Sequence, residues 1–473
     1  MLSSYENVAE AYIILAEWFP NNSTTKRSRE RRKSLTVGKV YSGFEAYIHG
    51  WNACINAADL SQGLVSIWTG GNRSHAPEET LPKLNAISKS FKILGGLSRP
   101  KLIECYDVDG NTYTQIVKAG DDMRQDEVVE QAFTVLNYLL RRDHKCRDRK
   151  LILRTYNIAP LSSNVGVIEF AGTNTTAIGD FLLKAHTRLR PNDKPAAKVS
   201  ETLRNALTKS SKSRIKLYIG ECKRFKPCMY EEMIVRCPDS RRWYKNRLAF
   251  TRSVAVNSMV GYIIGLGDRH VSNILIDKNT YEVIHIDFGI LFEKGKQLAT
   301  PETVPFRLTR DFVDGMGVMG YEGVFQRSCE ETLRVLRNHD DALLFIFDAF
   351  SHNPLSNWKN AAEEWQRKNQ LKEDDVIDGT NRDAEVDRSE NIMLDGLEKK
   401  NNKLSASRRR SSQHSSSSKN KEAERAVNRI KEKLKGFHNG NLMGIEGHVN
   451  VLINEAIDPE NLALLFPGWS PWY

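Results

Sequence analysis

Apolar side chains return every three or four residues over 4–18 and again over 38–68, where Val40, Phe44, Ile48, Trp51 and Ile55 form one stripe. That spacing predicts two helices. A helical stripe needs a surface to pack on, so a chain opening on half of a helical layer reads as part of something longer. After Pro82 the period shortens to that of strands. Ser90–Leu94, Leu102–Tyr106 and Tyr113–Lys118 are short strand-like runs, the last two joined through Asp109-Gly110-Asn111, a hairpin signal. A helix is predicted from Asp126 to about Leu140, burying Val129, Phe133, Leu136 and Leu140. Leu151–Tyr156 and Val167–Phe170 add two strands, completing a small sheet that carries one helix.

From about Gly172 to Trp365 the pattern turns helical. Its longest periodic stretch, Trp243–Leu266, is expected to stop at Gly267. Ile274–Asp277 and Tyr281–Ile286 read as a strand pair around the Lys278-Asn279 turn. A small sheeted lobe followed by a larger helical one is the α+β plan of a two-lobed enzyme. Near residue 370 the composition shifts. Residues 371–400 hold ten Asp or Glu against five Lys or Arg, and 401–420 hold five basic residues, eight serines and no acid. Such segments bury too little apolar surface to offset an ordering entropy of roughly 1–2 kcal/mol per residue, so 370–420 is predicted disordered. Order is expected again over Glu422–Gly436 and in a helix whose stripe, Val449, Leu452, Ile453, Ala456 and Ile457, closes at Asp458-Pro459. The run after it, rich in Leu464, Leu465, Phe466, Trp469 and Trp472, must dock, because a dangling aromatic segment is a solubility liability.

Composition narrows the classes. With 40% hydrophobic and 27% charged residues the chain resembles an ordinary soluble protein. No run of eighteen apolar residues exists to span a bilayer, and Met1–Ile14 lacks the cationic-then-apolar pattern of a secretory signal. Seven scattered cysteines without zinc-ligand spacing read as reduced thiols. Much of the formal charge of +10 lies in Lys26–Lys33 and Arg408–Arg410. Neither cluster interleaves aromatics as a nucleic-acid stacking platform does, so direct DNA binding is not expected. Solvated charge runs, a nuclear-import patch or contacts to acidic partners account for them.

Two segments carry chemistry: Gly267-Asp268-Arg269-His270-Val271-Ser272-Asn273, and Ile284-His285-Ile286-Asp287-Phe288-Gly289. The hairpin between them brings Asp268, Asn273 and Asp287 to one rim. Phosphoryl transfer needs this set: one carboxylate to orient the attacking hydroxyl, and an amide plus a second carboxylate to hold magnesium on the phosphates. Asp268 suits the first role, Asn273 and Asp287 the second. His270 reaches the same cavity, either stabilising transition-state charge or helping with the hydroxyl proton. Helix and strand capping is the plainer reading of either segment alone; the two together, hairpin-linked behind a sheeted lobe, favour catalysis. No Gly-x-Gly-x-x-Gly or GxxxxGK[ST] signature occurs. Leu94-Gly95-Gly96-Leu97-Ser98-Arg99-Pro100 is either a plain hairpin or a phosphate cover using backbone N–H groups and Ser98. Periodicity lets Lys118 point into the cleft or to solvent. Asp121 is close enough in sequence to pair with it, and Asp126 either caps the following helix or faces the cleft.

Taken together, VKAGDDMRQDEVVEQAF (117–133), GLGDRHVSNILID (265–277), HIDFG (285–289) and TPETVPFRLTRDFVDGMG (300–317) resemble the phosphatidylinositol 3-kinase-related protein kinases. GHVNVLINEAIDPENLALLFPGWSPWY (447–473) resembles that family's FATC segment, and VPFRLTRDFVDGMG with AIDPENLALLFPGW is similar to its ATM/Tel branch. The resemblance covers about 5–18, 88–365 and 422–473. It implies a two-lobed protein-kinase-like fold of the PI3K/PI4K type, with an N-terminal helical FAT remnant and C-terminal FATC helices. The implied division is 1–85 for the end of FAT and a linker, 86–170 for the N-lobe and 171–369 for the C-lobe. Residues 370–420 then form a linker, 421–440 a helical connector and 441–473 the FATC segment. The branch's solenoid and most of its FAT domain are missing from this sequence.

The resemblance also implies roles. Lys118 contacts the ATP phosphates, Asp121 partners it, and Asp126 belongs to the same network. Asp268 is the catalytic aspartate assisted by His270; Asn273 and Asp287 hold Mg2+, with Mn2+ as a substitute. Glu169-Phe170-Ala171 falls where the hinge meets adenine, with Phe-Ala in place of the branch's Trp-Cys. The expected activity is transfer of the ATP γ-phosphoryl group to Ser/Thr-Gln sites of proteins, in DNA double-strand-break signalling and telomere maintenance. Nuclear, chromatin- and telomere-associated localisation, recruitment through a DNA-end-sensing adaptor complex and a full-length homodimer follow from the same likeness. Ser412-Gln413 is an expected autophosphorylation site, better exposed than Ser61-Gln62. The rivals are a phosphoinositide lipid kinase and an inactive scaffold. Phe292–Phe306 carries only Lys294 and Lys296, offset by Glu293 and Glu302, which is poor in charge for a lipid headgroup.

Overall fold

The computed structural model describes residues 12–13, 15–16, 40–41, 84–88, 90–95, 98–107, 109–172, 174–351 and 415–473. Most of the helices expected over 4–18 and 38–68, both arginine-rich clusters, Gly96, Ser61-Gln62, Ser412-Gln413 and the linker up to 414 lie outside the described residues.

The first lobe is built on one antiparallel sheet. Its strands are β1 (Val40–Tyr41), β2 (Leu84–Ile87), β3 (Phe91–Ile93), β4 (Lys101–Asp107), β5 (Thr112–Ala119), β6 (Ile158–Pro160) and β7 (Val165–Glu169). They run in the order β1-β3-β4-β5-β7-β6, with β2 also pairing β4. The β4–β5 hairpin turns through Asp109-Gly110-Asn111 as expected, and Asp107 Oδ1 accepts the N–H groups of Asp109 (3.0 Å) and Asn111 (2.7 Å). Val40–Tyr41, expected to be helical, instead pairs with Phe91 and Lys92; a β-branched and an aromatic residue satisfy the open edge of β3. The strand expected at Leu151–Tyr156 is irregular, and β6 begins at Ile158. The reason lies on the neighbouring helix, Arg124–Arg142. Asn137 both accepts from Leu153 N and donates to Leu153 O, each at 2.8 Å, and Glu130 accepts from Tyr156 N at 3.3 Å. Helix side chains take the place of a ladder partner.

Alternation along β5 settles the direction of Lys118. Gln115, Val117 and Ala119 are buried in a core with Tyr12, Leu15, Ile93, Ile103 and Val167, so Lys118 faces the opposite side of the sheet, towards the second lobe. The buried Lys101 ammonium, on the Val117 side, donates to the carbonyls of Leu15 and Ala16.

The second lobe wraps the Ser240–Ile264 helix, buried on every side from Val254 to Ile264. A small sheet of β8 (Thr175–Ala177), β9 (Ile274–Asp277) and β10 (Val283–His285) lies against it, with Ile276 opposite Val283 as expected. The long helix stops at Gly265, two residues before the expected position. Gly265 has φ +65, and a Cβ there would lie 2.5 Å from Glu293 N, so only glycine reverses the chain here. The connector helix begins at Ser415 rather than Glu422; once a helix is nucleated, extending it through serines costs little. No described helix is long and apolar enough to cross a membrane. A third basic concentration, unnoticed in the pattern, runs from Lys184 to Lys226, with 13 Lys or Arg against 3 Asp or Glu.

The aromatic tail docks on this lobe. Leu465, Trp469, Trp472 and Tyr473 are buried. Arg307, 3% exposed, donates to the carbonyls of Trp469 (2.7 Å), Ser470 (2.8 Å) and Tyr473 (2.6 Å), and its guanidinium lies 4.3 Å from the Trp469 ring centre. Thr303 Oγ1 donates to Asn461 O at 2.7 Å. We therefore expect Trp472→Ala to lower the unfolding free energy by about 3–5 kcal/mol, read as a shifted urea midpoint of the lobe containing the tail.

Candidate active site

The loop after Gly265 and the loop after β10 are strapped together by one side chain. Arg269, 3% exposed, donates to Gly267 O (2.8 Å), to Ile286 O (2.8 Å) and to Asp287 O. The residues either side of the strap are strained: Asp268 has φ +57 and Asp287 φ +61. Left-handed backbone in non-glycine residues costs about 1–3 kcal/mol each and persists only where the surroundings over-determine it. They do so here. Asp268 N donates to Glu302 Oε1 at 2.8 Å, and Asn273 Nδ2 donates to Asp268 O at 2.9 Å. The same amide lies 3.4 Å from Asp268 Oδ2. His270 Nδ1 accepts the Ser272 N–H at 3.1 Å, which places the neutral ring's proton on Nε2, 3.9 Å from Asp268 Oδ2.

The first lobe supplies the other half. Lys118 Nζ lies 2.5 Å from Asp121 Oδ2. Asp126 Oδ1 accepts from Phe288 N at 2.8 Å, and Gln125 Nε2 donates to the carbonyls of Phe288 (2.6 Å) and Gly289 (3.1 Å). The helix start is thus pinned across the cleft to the Asp287-Phe288-Gly289 turn. Phe288, fully buried, meets Phe133 edge-on at 5.4 Å and stacks on Tyr156 at 6.4 Å. Burial opposes the Lys118 ammonium, but Asp121, Asp287 and Asp126 outweigh it and raise its pKa. Burial and then the neighbouring Asp287 push Asp126 up to about 7 against the pull of Lys118. His285, half-buried near Arg269, has its pKa lowered first by desolvation and then by that charge.

The carboxylates crowded around one lysine call for a further cation, and the donor set suits a hard one. Asn273 offers an amide oxygen and Asp287 a carboxylate, both ligands of magnesium. Among the described residues no group of three or more His, Cys, Asp or Glu gathers as a metal cage. Magnesium held by one or two protein ligands takes the rest of its shell from water and phosphate.

The structure brings together Lys118, Asp121, Asp126 and Asp287, and joins Asp268, His270 and Asn273 on the facing loop. The glycine turn is closed by Leu94 N donating to Pro100 O at 2.9 Å; Gly95 is exposed and Ser98 half-buried. At the hinge, Glu169 N donates to Asn157 O and Phe170 N to Thr114 O, while the Glu169 carboxylate accepts from Asn157 Nδ2 at 2.7 Å. Two of the three hinge N–H groups, those of Glu169 and Phe170, are therefore engaged inside the lobe. Gln125, Arg269, Glu302 and Arg307 are parts of the site that pattern alone did not select. The partners of Gln125, Glu302 and Arg307 lie 34 or more residues away, so no local spacing marks them.

A two-lobed kinase fold with a lysine–carboxylate pair facing a catalytic-loop aspartate is the class these features define. Residues 112–360 match the family described as "Phosphatidylinositol 3- and 4-kinase", and residues 443–473 match the FATC domain. The chain belongs to the phosphatidylinositol 3- and 4-kinase family. It is 40% identical to "Serine-protein kinase ATM" of Sus scrofa, over 100% of this chain and 14% of that protein. It is 39% identical to "Serine/threonine-protein kinase ATM" of Arabidopsis thaliana (84% and 10%) and 34% to "Serine/threonine-protein kinase tel1" of Schizosaccharomyces pombe (99% and 15%). Among solved structures it superposes on the "FAT and kinase domain of CtTel1" with a TM-score of 0.76 and 30% identity, covering 100% of this chain and 28% of that one. The "Complete CtTel1 dimer with C2 symmetry" gives the same TM-score over 15% of its chain. The chain thus spans 14% of the length of the pig relative.

With a folded pKa of about 7, Asp126 keeps a proton that the unfolded chain releases near the ordinary 3.8. Between those values the native state binds more protons, so raising the pH costs stability. Asp126→Asn should flatten this dependence and raise the nucleotide-free melting temperature at pH 8, checked by differential scanning fluorimetry across pH 4–8.

Proposed function

We propose that this chain is the catalytic portion of a serine/threonine protein kinase that transfers the ATP γ-phosphoryl group to protein substrates. One observation favours protein over lipid. In the activation segment Lys294 is buried, and Lys296 lies 3.1 Å from Glu293 Oε1. The segment therefore presents one exposed, carboxylate-paired lysine rather than the dense basic patch that a phosphoinositide headgroup requires. The relatives named as serine/threonine-protein kinases support the same choice.

In this reading Lys118, kept charged and aimed by Asp121, contacts the ATP phosphates, and Asp126 holds the turn that carries Asp287. The Ala171 N–H is the hinge donor for adenine, beside Glu169 and Phe170, and the Gly95-Gly96 turn with Ser98 covers the phosphates. Asp268 accepts the proton of the attacking hydroxyl, and the Nε2–H of His270 supports the charge that develops beside it. Asn273 and Asp287 would hold magnesium, or manganese in its place, which neutralises the phosphates when bound. The left-handed Asp268 and Asp287 aim their carboxylates at one volume without reorganising during the reaction, which is where such sites gain most of their rate.

By analogy with the relatives named ATM and tel1, the proposal extends to DNA double-strand-break checkpoint signalling and telomere maintenance. Ser/Thr-Gln target sites, nuclear and chromatin-bound residence, recruitment through a DNA-end adaptor complex and a two-fold dimer of the full-length protein belong to this proposal. Asp268→Asn and Asp287→Ala should each lower phosphoryl transfer by at least about 100-fold with unchanged circular dichroism. Radiolabelled ATP offered with a Ser-Gln peptide, and separately with phosphoinositide vesicles, decides the substrate. Label in lipid but not peptide overturns the protein-kinase reading, and label in neither marks a scaffold.

A further inference from the structure

Glu302 lies in the activation segment, outside the motifs that supply the reacting groups, yet its carboxylate reaches the catalytic loop from behind. Oε1 accepts the backbone N–H of Asp268 at 2.8 Å. Oε2 is lodged between two glycines, close enough that a Cβ on Gly267 would lie 2.5 Å from it and one on Gly295 2.1 Å. Both positions must lack a side chain for the carboxylate to enter. The segment is fixed in this place because Glu302 N donates to Gly295 O at 3.0 Å. The indole of Trp469, 5% exposed in the docked tail, lies near the same carboxylate without a hydrogen bond to it. Three separate stretches, the catalytic loop, the activation segment and the tail, therefore meet at one side chain.

We propose that Glu302 is a positioning residue for phosphoryl transfer, holding Asp268 in its left-handed conformation through the Asp268 N–H. This rests on the reading of Asp268 as the group that orients the substrate hydroxyl. Without the acceptor, the strained backbone at φ +57 loses one of the bonds that over-determine it, and the Asp268 carboxylate turns away from the hydroxyl. Glu302 touches neither ATP nor substrate in this account. Its effect therefore falls on kcat and leaves both Michaelis constants in place.

Reach and charge separate in two variants. Glu302→Gln keeps the length of the side chain and an oxygen acceptor but removes the charge. Glu302→Asp keeps the charge but withdraws it by one methylene. We expect Glu302→Asp to lower kcat by about 10–100-fold, as a displacement of about 1 Å at a reacting group does. KM for ATP and for peptide should stay within about twofold, with Glu302→Gln close to wild type. Hydrogen exchange of the 265–273 peptide provides a readout independent of turnover: faster at the Asp268 amide in Glu302→Asp, protected in Glu302→Gln. The opposite order of the two variants, a loss confined to KM, or unchanged amide protection in Glu302→Asp would each overturn the proposal. A wild-type chain that labels no peptide while the exchange pattern appears as expected would instead count against the protein-kinase reading alone.

Discussion

Arg269 buries a guanidinium where the carbonyls of Gly267, Ile286 and Asp287 converge, and the geometry of the cleft hangs on that convergence. A buried cation is costly unless its donors are satisfied, so the carbonyls must stay where they are once the side chain is in place. Their positions hold the catalytic loop and the Asp287 turn at a fixed spacing. The guanidinium also lies 5.9 Å from the Phe288 ring centre, on a residue that the first lobe grips through Phe133 and Tyr156. One side chain thus ties the reacting loops to each other, and its aromatic neighbour ties them to the lobe that carries Lys118.

The electrostatics follow from the same closeness. Asp121, Asp287 and Asp126 lie around the partly buried Lys118, and the result is a lysine held charged beside a carboxyl pushed up to about 7. The arrangement is under-neutralised by design of its residue types rather than by accident of exposure. Bound phosphates without a metal would add repulsion; bound metal without phosphates would find few protein ligands. On the proposed reading of Asn273 and Asp287 as metal ligands, each would favour the other's entry, a coupling set by charge count and by that modest oxygen donor set.

Much of this was legible in the chain. The hairpin turn at Asp109-Gly110-Asn111 and the strand pair around Lys278-Asn279 lie in short segments whose spacing alone carries the geometry. Tail docking was legible too, because apolar residues in that number have to be buried. What escaped the pattern depends on partners remote in sequence. Leu151–Tyr156 has the apolar look of a strand, yet Asn137 and Glu130 on a helix claim its backbone. Lys118 could be given a direction only once the other face of β5 was seen packed on Tyr12 and Leu15. Gly265, rather than Gly267, ends the long helix because its left-handed backbone lies against Glu293, where a Cβ would not fit. Glu302 and Arg307 sit in a segment that reads as a polar loop, and their importance lies in what approaches from 34 and from more than 160 residues away.

The Arg307 clamp has a consequence for how the protein is made. Its carbonyl partners on Trp469, Ser470 and Tyr473 follow it by 162 to 166 residues. At a synthesis rate of about 5–20 residues per second, that separation corresponds to roughly 8–30 s on the ribosome. For that interval the second lobe has its long helix and its loops but lacks the aromatic segment that closes over them. The nascent chain exposes the apolar floor that the tail will cover, together with an arginine whose burial is not yet possible. Closure of the cleft-bearing lobe is consequently a late event, because the segment that covers its apolar floor is made only after the rest of the lobe.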